Sequence, residues 1–307
     1  MRIVYLGTPD FAEKPLESLI KNGYNVVAVV TNKDKPVGRK QILTAPPVKQ
    51  LALSNGIKVL QYDKIRVEGV NDLKELKPDL MITCAFGQIL SKEILDIAPL
   101  GVINIHASLL PKYRGASPIH FAILNGETET GITIMKTDEG IDTGDIISQE
   151  KIAILEGETC GELFDRLSVL GADLLIKTLP SIIDNKANFI KQDDKNASFT
   201  KIINKQMAKI DWTKSAKSVV NQIRAFNPMP TAFTMFEGNP FKVYNAIESD
   251  LVGEAGKVIK ADNTLIIGCG EKSVELQVVQ KAGGKPMNIG DFLRGNKISV
   301  GEDFCKW

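Results

Sequence analysis

The chain has 307 residues, 43% of them apolar and 24% charged, which excludes a disordered, collagen-like or disulfide-scaffold protein and leaves room for about two domains. Thirty-eight basic residues against 37 acidic ones leave a net charge of +1, so the molecule as a whole has no electrostatic pull toward nucleic acid or a membrane.

The first apolar run, 2–6, reads as a strand broken by Gly7-Thr8-Pro9-Asp10. A helix follows near Pro15, with Leu16, Leu19 and Ile20 on one face and Gly23 at its end. Residues 25–31 form the next β-branched strand, and this strand–helix–strand alternation predicts a parallel α/β sheet. A helix over 48–55 stops at Gly56, and 57–60, 79–85 and 102–105 read as further strands. Their nearly continuous apolar character fits strands covered on both faces. Two later strands are expected at 131–137 and 146–154. Thr159 and Glu162 have capping-box spacing, and Leu163, Leu167, Leu170 and Leu174 form the buried stripe of the helix behind them.

Residues 184–198 are polar and read as surface linker, placing one domain at 1–200, with its linker at about 184–205, and a second at 206–307. A helix over 216–226 is stopped by Asn227-Pro228-Met229-Pro230. Beyond it, 231–236, 241–247, 256–260, 264–267, 274–280 and 297–300 are short strands with glycine punctuation, which suggests a small barrel. Residues 201–307 carry a net +4 and residues 1–200 a net −3. The basic part suits a polyanion, and equally an ordinary solvated surface. With no bilayer-length apolar stretch and no export signal, the chain is expected in the cytoplasm, with Cys84, Cys160, Cys269 and Cys305 as scattered reduced thiols.

Only His106 and His120 are available for imidazole chemistry. In Val102-Ile103-Asn104-Ile105-His106 the strand period points Asn104 and His106 to the same side, just before a break at Ala107. Ligands of open α/β sheets bind beyond the carboxyl ends of the strands. The same pair can also be a polar strand end bonded to its own loop. The loop 138–145 offers several carboxylates hinged by Gly140 and Gly144, one of which can orient the imidazole. It is no calcium loop, because Thr143 and Gln149 stand where glycine and the bidentate Glu belong. No metal site is expected, and His120 reads as packing on a helix over 117–124. Gly7-Thr8-Pro9 lacks dinucleotide-binding spacing, there is no P-loop, and Ser108 lacks a nucleophile-elbow setting.

The run that starts at His106, His-Ala-Ser-Leu-Leu-Pro-Lys-Tyr-Arg-Gly-Ala-Ser-Pro-Ile, closely resembles the signature of the folate-dependent formyltransferases. Asn104 before it and Asp142-Thr143-Gly144-Asp145 after it complete the likeness. The turn Gly7–Phe11, Ile210-Asp211-Trp212, the run 225–232 and Asp291-Phe292-Leu293-Arg294-Gly295 resemble the members that act on tRNA, so the resemblance spans nearly the whole chain. It implies a Rossmann-like, mostly parallel α/β domain followed by an OB-like β-barrel. It also implies transfer of a formyl group from 10-formyltetrahydrofolate to the free amine of methionyl initiator tRNA. Asn104 and His106 would stabilise the oxyanion, and Asp142 would orient His106 and help remove the amine proton. Phe86, Gly87, Gln88, Ile89 and Leu90 would line the folate pocket. Ser108, Leu109, Leu110 and Pro111, and Asp138, Gly140, Ile141, Thr143, Gly144 and Asp145, would line it as well. Arg39 and Lys40, in the insertion 32–49, would approach the tRNA acceptor arm. The family pattern implies no metal and no membrane, a monomer, and a bacterial-type cytoplasm. A nucleotide-sugar N-formyltransferase shares the His106 and Asp142 segments; the Asn-Pro-Met-Pro run and the Arg39 loop argue against it. A non-catalytic RNA-binding module leaves Asn104, His106 and Asp142 unexplained.

Overall fold

The computed structural model describes residues 1–38 and 40–305, and the chain divides into two units. The first comprises Met1–Pro118, Glu129–Ala153 and Phe164–Thr200; the second comprises Ile119–Thr128, Ile154–Leu163 and Lys201–Trp307.

The first unit is built on seven strands: β1 (Ile3–Gly7), β2 (Val26–Thr31), β3 (Lys58–Gln61), β4 (Leu80–Cys84), β5 (Val102–His106), β6 (Glu129–Lys136) and β7 (Ile146–Ala153). Their order in the sheet is β7-β6-β5-β4-β1-β2-β3. β1 to β5 run parallel, joined by crossovers that include α1 (Glu13–Lys21) and α2 (Pro47–Ser54). Every residue of β1 and β4 is buried, so both faces are covered and neither strand needs polar alternation. Val4, Leu6, Ala28, Val30 and Met81 share one core with Ile65, Leu73 and Phe86. β6 runs antiparallel to both its neighbours, β5 and β7, a reversal an apolar run does not encode.

The strand order reverses between β1 and β4, and such a reversal opens a crevice beyond the carboxyl ends. At that point Gly7 pairs with Cys84. A Cβ on Gly7 would lie 2.8 Å from Ala12 Cβ and 3.0 Å from the Cys84 carbonyl, so only glycine allows this approach. The polar stretch read as a linker folds back on the same unit. Ile190 bridges Ile146, and Phe199–Thr200 pairs in parallel with Arg114–Gly115. The long helix α3 (Cys160–Ile183) begins with the capping box: Thr159 N–H and hydroxyl both donate to Glu162 Oε2, at 2.9 and 2.7 Å.

The second unit opens with helix α4 (Ala216–Ala225), whose N-cap Ser215 accepts from Ser218 N. It is otherwise antiparallel and β-rich. β8 (Ala232–Phe236), β9 (Asn239–Ser249), β10 (Val258–Ala261), β11 (Leu265–Gly268) and β12 (Ser273–Gln280) are ordered β8-β9-β12-β11-β10. Phe236, Phe241, Phe292 and Phe304 form its aromatic centre. Buried Trp212 satisfies its indole N–H on Thr234 Oγ1 at 3.0 Å. Residues 297–300, expected as a strand, are irregular: Ile298 stays buried, but Ser299 N–H turns to Glu302 Oε2 at 3.1 Å. No described helix is long and apolar enough to cross a membrane.

His120, on the helix Pro118–Leu124, packs against Phe226, with ring centroids 6.4 Å apart. Burial holds its pKa below the usual 6.5, against a smaller opposing effect of a hydrogen bond with the Met229 backbone. The folded state therefore disfavours the charged ring. The second unit should lose stability as pH falls from 6.5 through the lowered folded value, and His120→Gln should remove that part of the loss. Urea melts followed by tryptophan emission at pH 7.5 and 5.5 check this, because Trp212 is buried in the core of this unit. Equal pH dependence in both proteins would contradict it.

Candidate active site

Asn104 and His106 project from the last turns of the β5 pleat, and the β6–β7 loop folds back to bring Asp142 onto them. Asp142 Oδ2 accepts the Gly115 N–H at 2.8 Å and lies 3.5 Å from His106 Nδ1. Asp142 Oδ1 accepts from Asn104 Nδ2 at 3.3 Å. On its far side Asn104 Oδ1 accepts the Thr83 hydroxyl at 2.9 Å. A carboxylate only accepts, so these two bonds fix which end of the carboxamide is NH₂. His106 is buried, 6% exposed, with Nε2 3.0 Å from the Tyr113 carbonyl. That carbonyl can only accept, so Nε2 carries a hydrogen and Nδ1 is the ring nitrogen that faces Asp142. Asp142 itself sits at φ +53°, a left-handed conformation that an Asp tolerates better than most residues.

The surrounding segments divide into supports and open surface. Ser108 is fully buried, and its hydroxyl donates to the Lys112 carbonyl at 2.6 Å. Leu110 is buried, while Leu109 and Pro111 are half-buried. Thr133 and Gln149 hold this loop: Thr133 Oγ1 donates to the Ser108 carbonyl at 2.6 Å, and Gln149 Nε2 donates to the Leu110 carbonyl at 2.9 Å. In the loop after β4, Phe86 and Leu90 are buried, Gly87 is exposed at φ +75°, and Ile89 is 67% exposed. The Gln88 side chain is committed to scaffolding, bonded to Ile65 N, Asn32 Oδ1 and the Tyr62 carbonyl. In the acidic loop Asp138 and Gly140 are exposed and Ile141 is 66% exposed. Asp138 Oδ1 accepts from Gly140 N and Thr143 Oγ1, Gly144 is buried, and the Asp145 carbonyl accepts the Lys136 N–H. Lys40 is exposed beside the hairpin of Lys35–Val37 and Ile42–Thr44; Arg39 lies outside the described residues. Cys84 ends β4, but burial pushes its thiol up to about 12. Among the described residues no group of three His, Cys, Asp or Glu could hold a metal ion.

A carboxylate, an imidazole and a carboxamide meet here, and the nearby hydroxyl and thiol are buried. This arrangement supports proton transfer and stabilisation of a developing oxyanion, not a covalent acyl-enzyme. The family model described as formyl transferase matches residues 1–179, and that described as formyl transferase, C-terminal domain, matches residues 202–297. The chain belongs to the formyltransferase family. A methionyl-tRNA formyltransferase of Ruminiclostridium cellulolyticum is 44% identical over 100% of both chains. One from a Geobacillus strain is 46% identical over 96% of this chain and 94% of its own. Among solved structures, an N-formyltransferase from Helicobacter canadensis in complex with folinic acid and dTDP-3-aminofucose is 25% identical. It superposes with a TM-score of 0.69 over 91% of this chain and 98% of its own.

Two supports of this candidate site were not legible in the sequence. Thr83 reads as an ordinary β-former, yet it orients Asn104. Gln192 lies in the polar stretch taken for linker, yet it bonds to the carbonyls of Asp142 and Gly144. The pairing of Phe199–Thr200 with Arg114–Gly115 is what carries that stretch there. For His106, long-range nitrogen–proton NMR should show the neutral ring protonated at Nε2, with His120→Gln removing the only other histidine signals. A neutral ring protonated at Nδ1 would contradict the bond to Tyr113.

Proposed function

We propose that the chain transfers the formyl group of 10-formyltetrahydrofolate to the free α-amino group of methionine esterified to initiator tRNA, giving N-formylmethionyl-tRNA. The observation that carries the choice of acceptor is the end-to-end likeness, across both family models, to relatives named for methionyl-tRNA. The likeness to the amino-sugar enzyme is much weaker.

The amine must attack uncharged. Its nitrogen bonds to the formyl carbon, the carbonyl oxygen takes up negative charge, and collapse breaks the bond from that carbon to the folate nitrogen. The proton lost by the amine ends on that nitrogen. Asn104 keeps one amide hydrogen beyond the one facing Asp142, and it serves the oxyanion. In its protonated form His106 also carries a hydrogen on Nδ1, which at 3.5 Å is beyond an ordinary hydrogen bond to Asp142 and serves the same oxygen. Asp142 orients the ring and receives the amine proton, directly or through water. The exposed Ile89 and Ile141 supply apolar surface for the folate ring system, and the backbone of 86–90, 108–111 and 138–145 lines the rest of its pocket. Residues 1–200 thus carry folate binding and chemistry.

Residues 206–307 and the insertion bearing Arg39 and Lys40 hold the tRNA, chiefly through phosphate contacts that salt weakens. We assign the enzyme to the cytoplasm of a bacterial-type cell, acting as a monomer.

Formyl transfer from 10-formyltetrahydrofolate to methionyl-tRNA and, in parallel, to a dTDP-amino sugar tests the reading. Transfer to the tRNA is expected; transfer to the sugar alone would overturn it. His106→Ala and Asn104→Ala should each lower kcat by about 100- to 1,000-fold, the range for a lost oxyanion donor. Arg39→Ala should raise KM for the tRNA at fixed salt while leaving KM for the folate unchanged.

A further inference from the structure

Asp142 is held by more than its own carboxylate bonds. The Gln192 amide spans the loop that carries it, with Nε2 donating to the Asp142 carbonyl at 2.8 Å and to the Gly144 carbonyl at 2.8 Å. Its Oε1 accepts Arg114 Nε at 3.0 Å. The amide orientation follows from chemistry, because the two carbonyls can only accept and the guanidinium can only donate. Arg114 is almost fully buried, 2% exposed. Its Nη2 donates to Asp194 Oδ1 at 2.8 Å, and its guanidinium carbon stands 5.9 Å from the centre of the Phe199 ring. Gln192, Asp194 and Phe199 come from one short stretch, and Gly115, next to Arg114, donates its N–H to the Asp142 carboxylate. Asp142 is therefore gripped on its side chain from Gly115 and on its backbone from Gln192, and both grips lead to Arg114.

We propose that Gln192 is a positioning residue for Asp142. It clamps the left-handed Asp142 backbone so that the carboxylate reaches His106 and Asn104 together. A non-glycine backbone at φ +53° lies outside the two broad backbone minima, and external bonds help hold it in one geometry. Both carbonyls are satisfied by a single amide, so removing it frees two adjacent points of the loop at once. A displacement of about 1 Å at a reacting group can cost roughly 100-fold in rate.

The kinetic arm rests on the formyl-transfer reading; the structural arm does not. Gln192→Ala removes the clamp, and Gln192→Glu keeps its length while offering carboxylate oxygens to two carbonyls. Both should lower kcat by about 10- to 100-fold, with KM for folate and tRNA changed less than about twofold. In an Asp142→Ala background, Gln192→Ala should add less than about a twofold loss, because the residue it positions is already gone. A merely structural role would lower the rate by the same factor in both backgrounds, which would overturn the proposal. Independently, hydrogen exchange of the backbone amides across 138–145 should accelerate in Gln192→Ala while the strands β1 and β4 keep their protection. Unchanged exchange in that loop, or a general loss of protection, would also overturn it. If the wild-type protein formylates no tRNA, the functional reading fails, and the exchange experiment still decides the clamp.

Discussion

The carboxylate of Asp142 accepts from a backbone amide and a carboxamide and stands beside an imidazole, and the site exists only where these meet. None of the three groups contacting it is near it in sequence. Asn104 and His106 belong to a buried parallel strand, whereas Gly115 belongs to the loop after it and Asp142 to a later connection. An acceptor shared so widely tolerates little displacement, because each partner would be left with an unmet hydrogen bond in a partly buried place.

The fold meets this demand by division of labour. The parallel strands supply rigidity: β4 and β5 lie in register, Thr83 opposite Asn104, so the hydroxyl that orients the carboxamide is delivered by sheet pairing alone. The loops supply reach. They are themselves tied by side chains such as Thr133 and Gln149 and leave Ile89 and Ile141 open to ligand. Hydrogen bonds among protein groups thus hold these loops, while Ile89 and Ile141 stay exposed.

The parts of this arrangement that rest on local periodicity could be read from the sequence. The two-residue spacing of Asn104 and His106 already placed them on one face, and the capping box of Thr159 and Glu162 already marked a helix start. Direction and distance were not readable. An apolar run says that a strand is buried, not which way it runs, so the reversal of β6 against its neighbours β5 and β7 could not be read. Gln192 sits in a run of charged and polar residues with no period, and its partners lie about 50 residues away in sequence. The assignment of Ile119–Thr128 and Ile154–Leu163 to the second unit likewise depends on packing that no local pattern announces.

The return of the chain after α3 bears on where the catalytic unit can be cut. A fragment ending at residue 184 would contain Asn104, His106, Asp142 and every strand of the seven-stranded sheet. It would also deprive the guanidinium of Arg114 of both its carboxylate and its amide partner. The compact unit itself extends through Thr200, and its polar tail is part of the structure that holds Asp142.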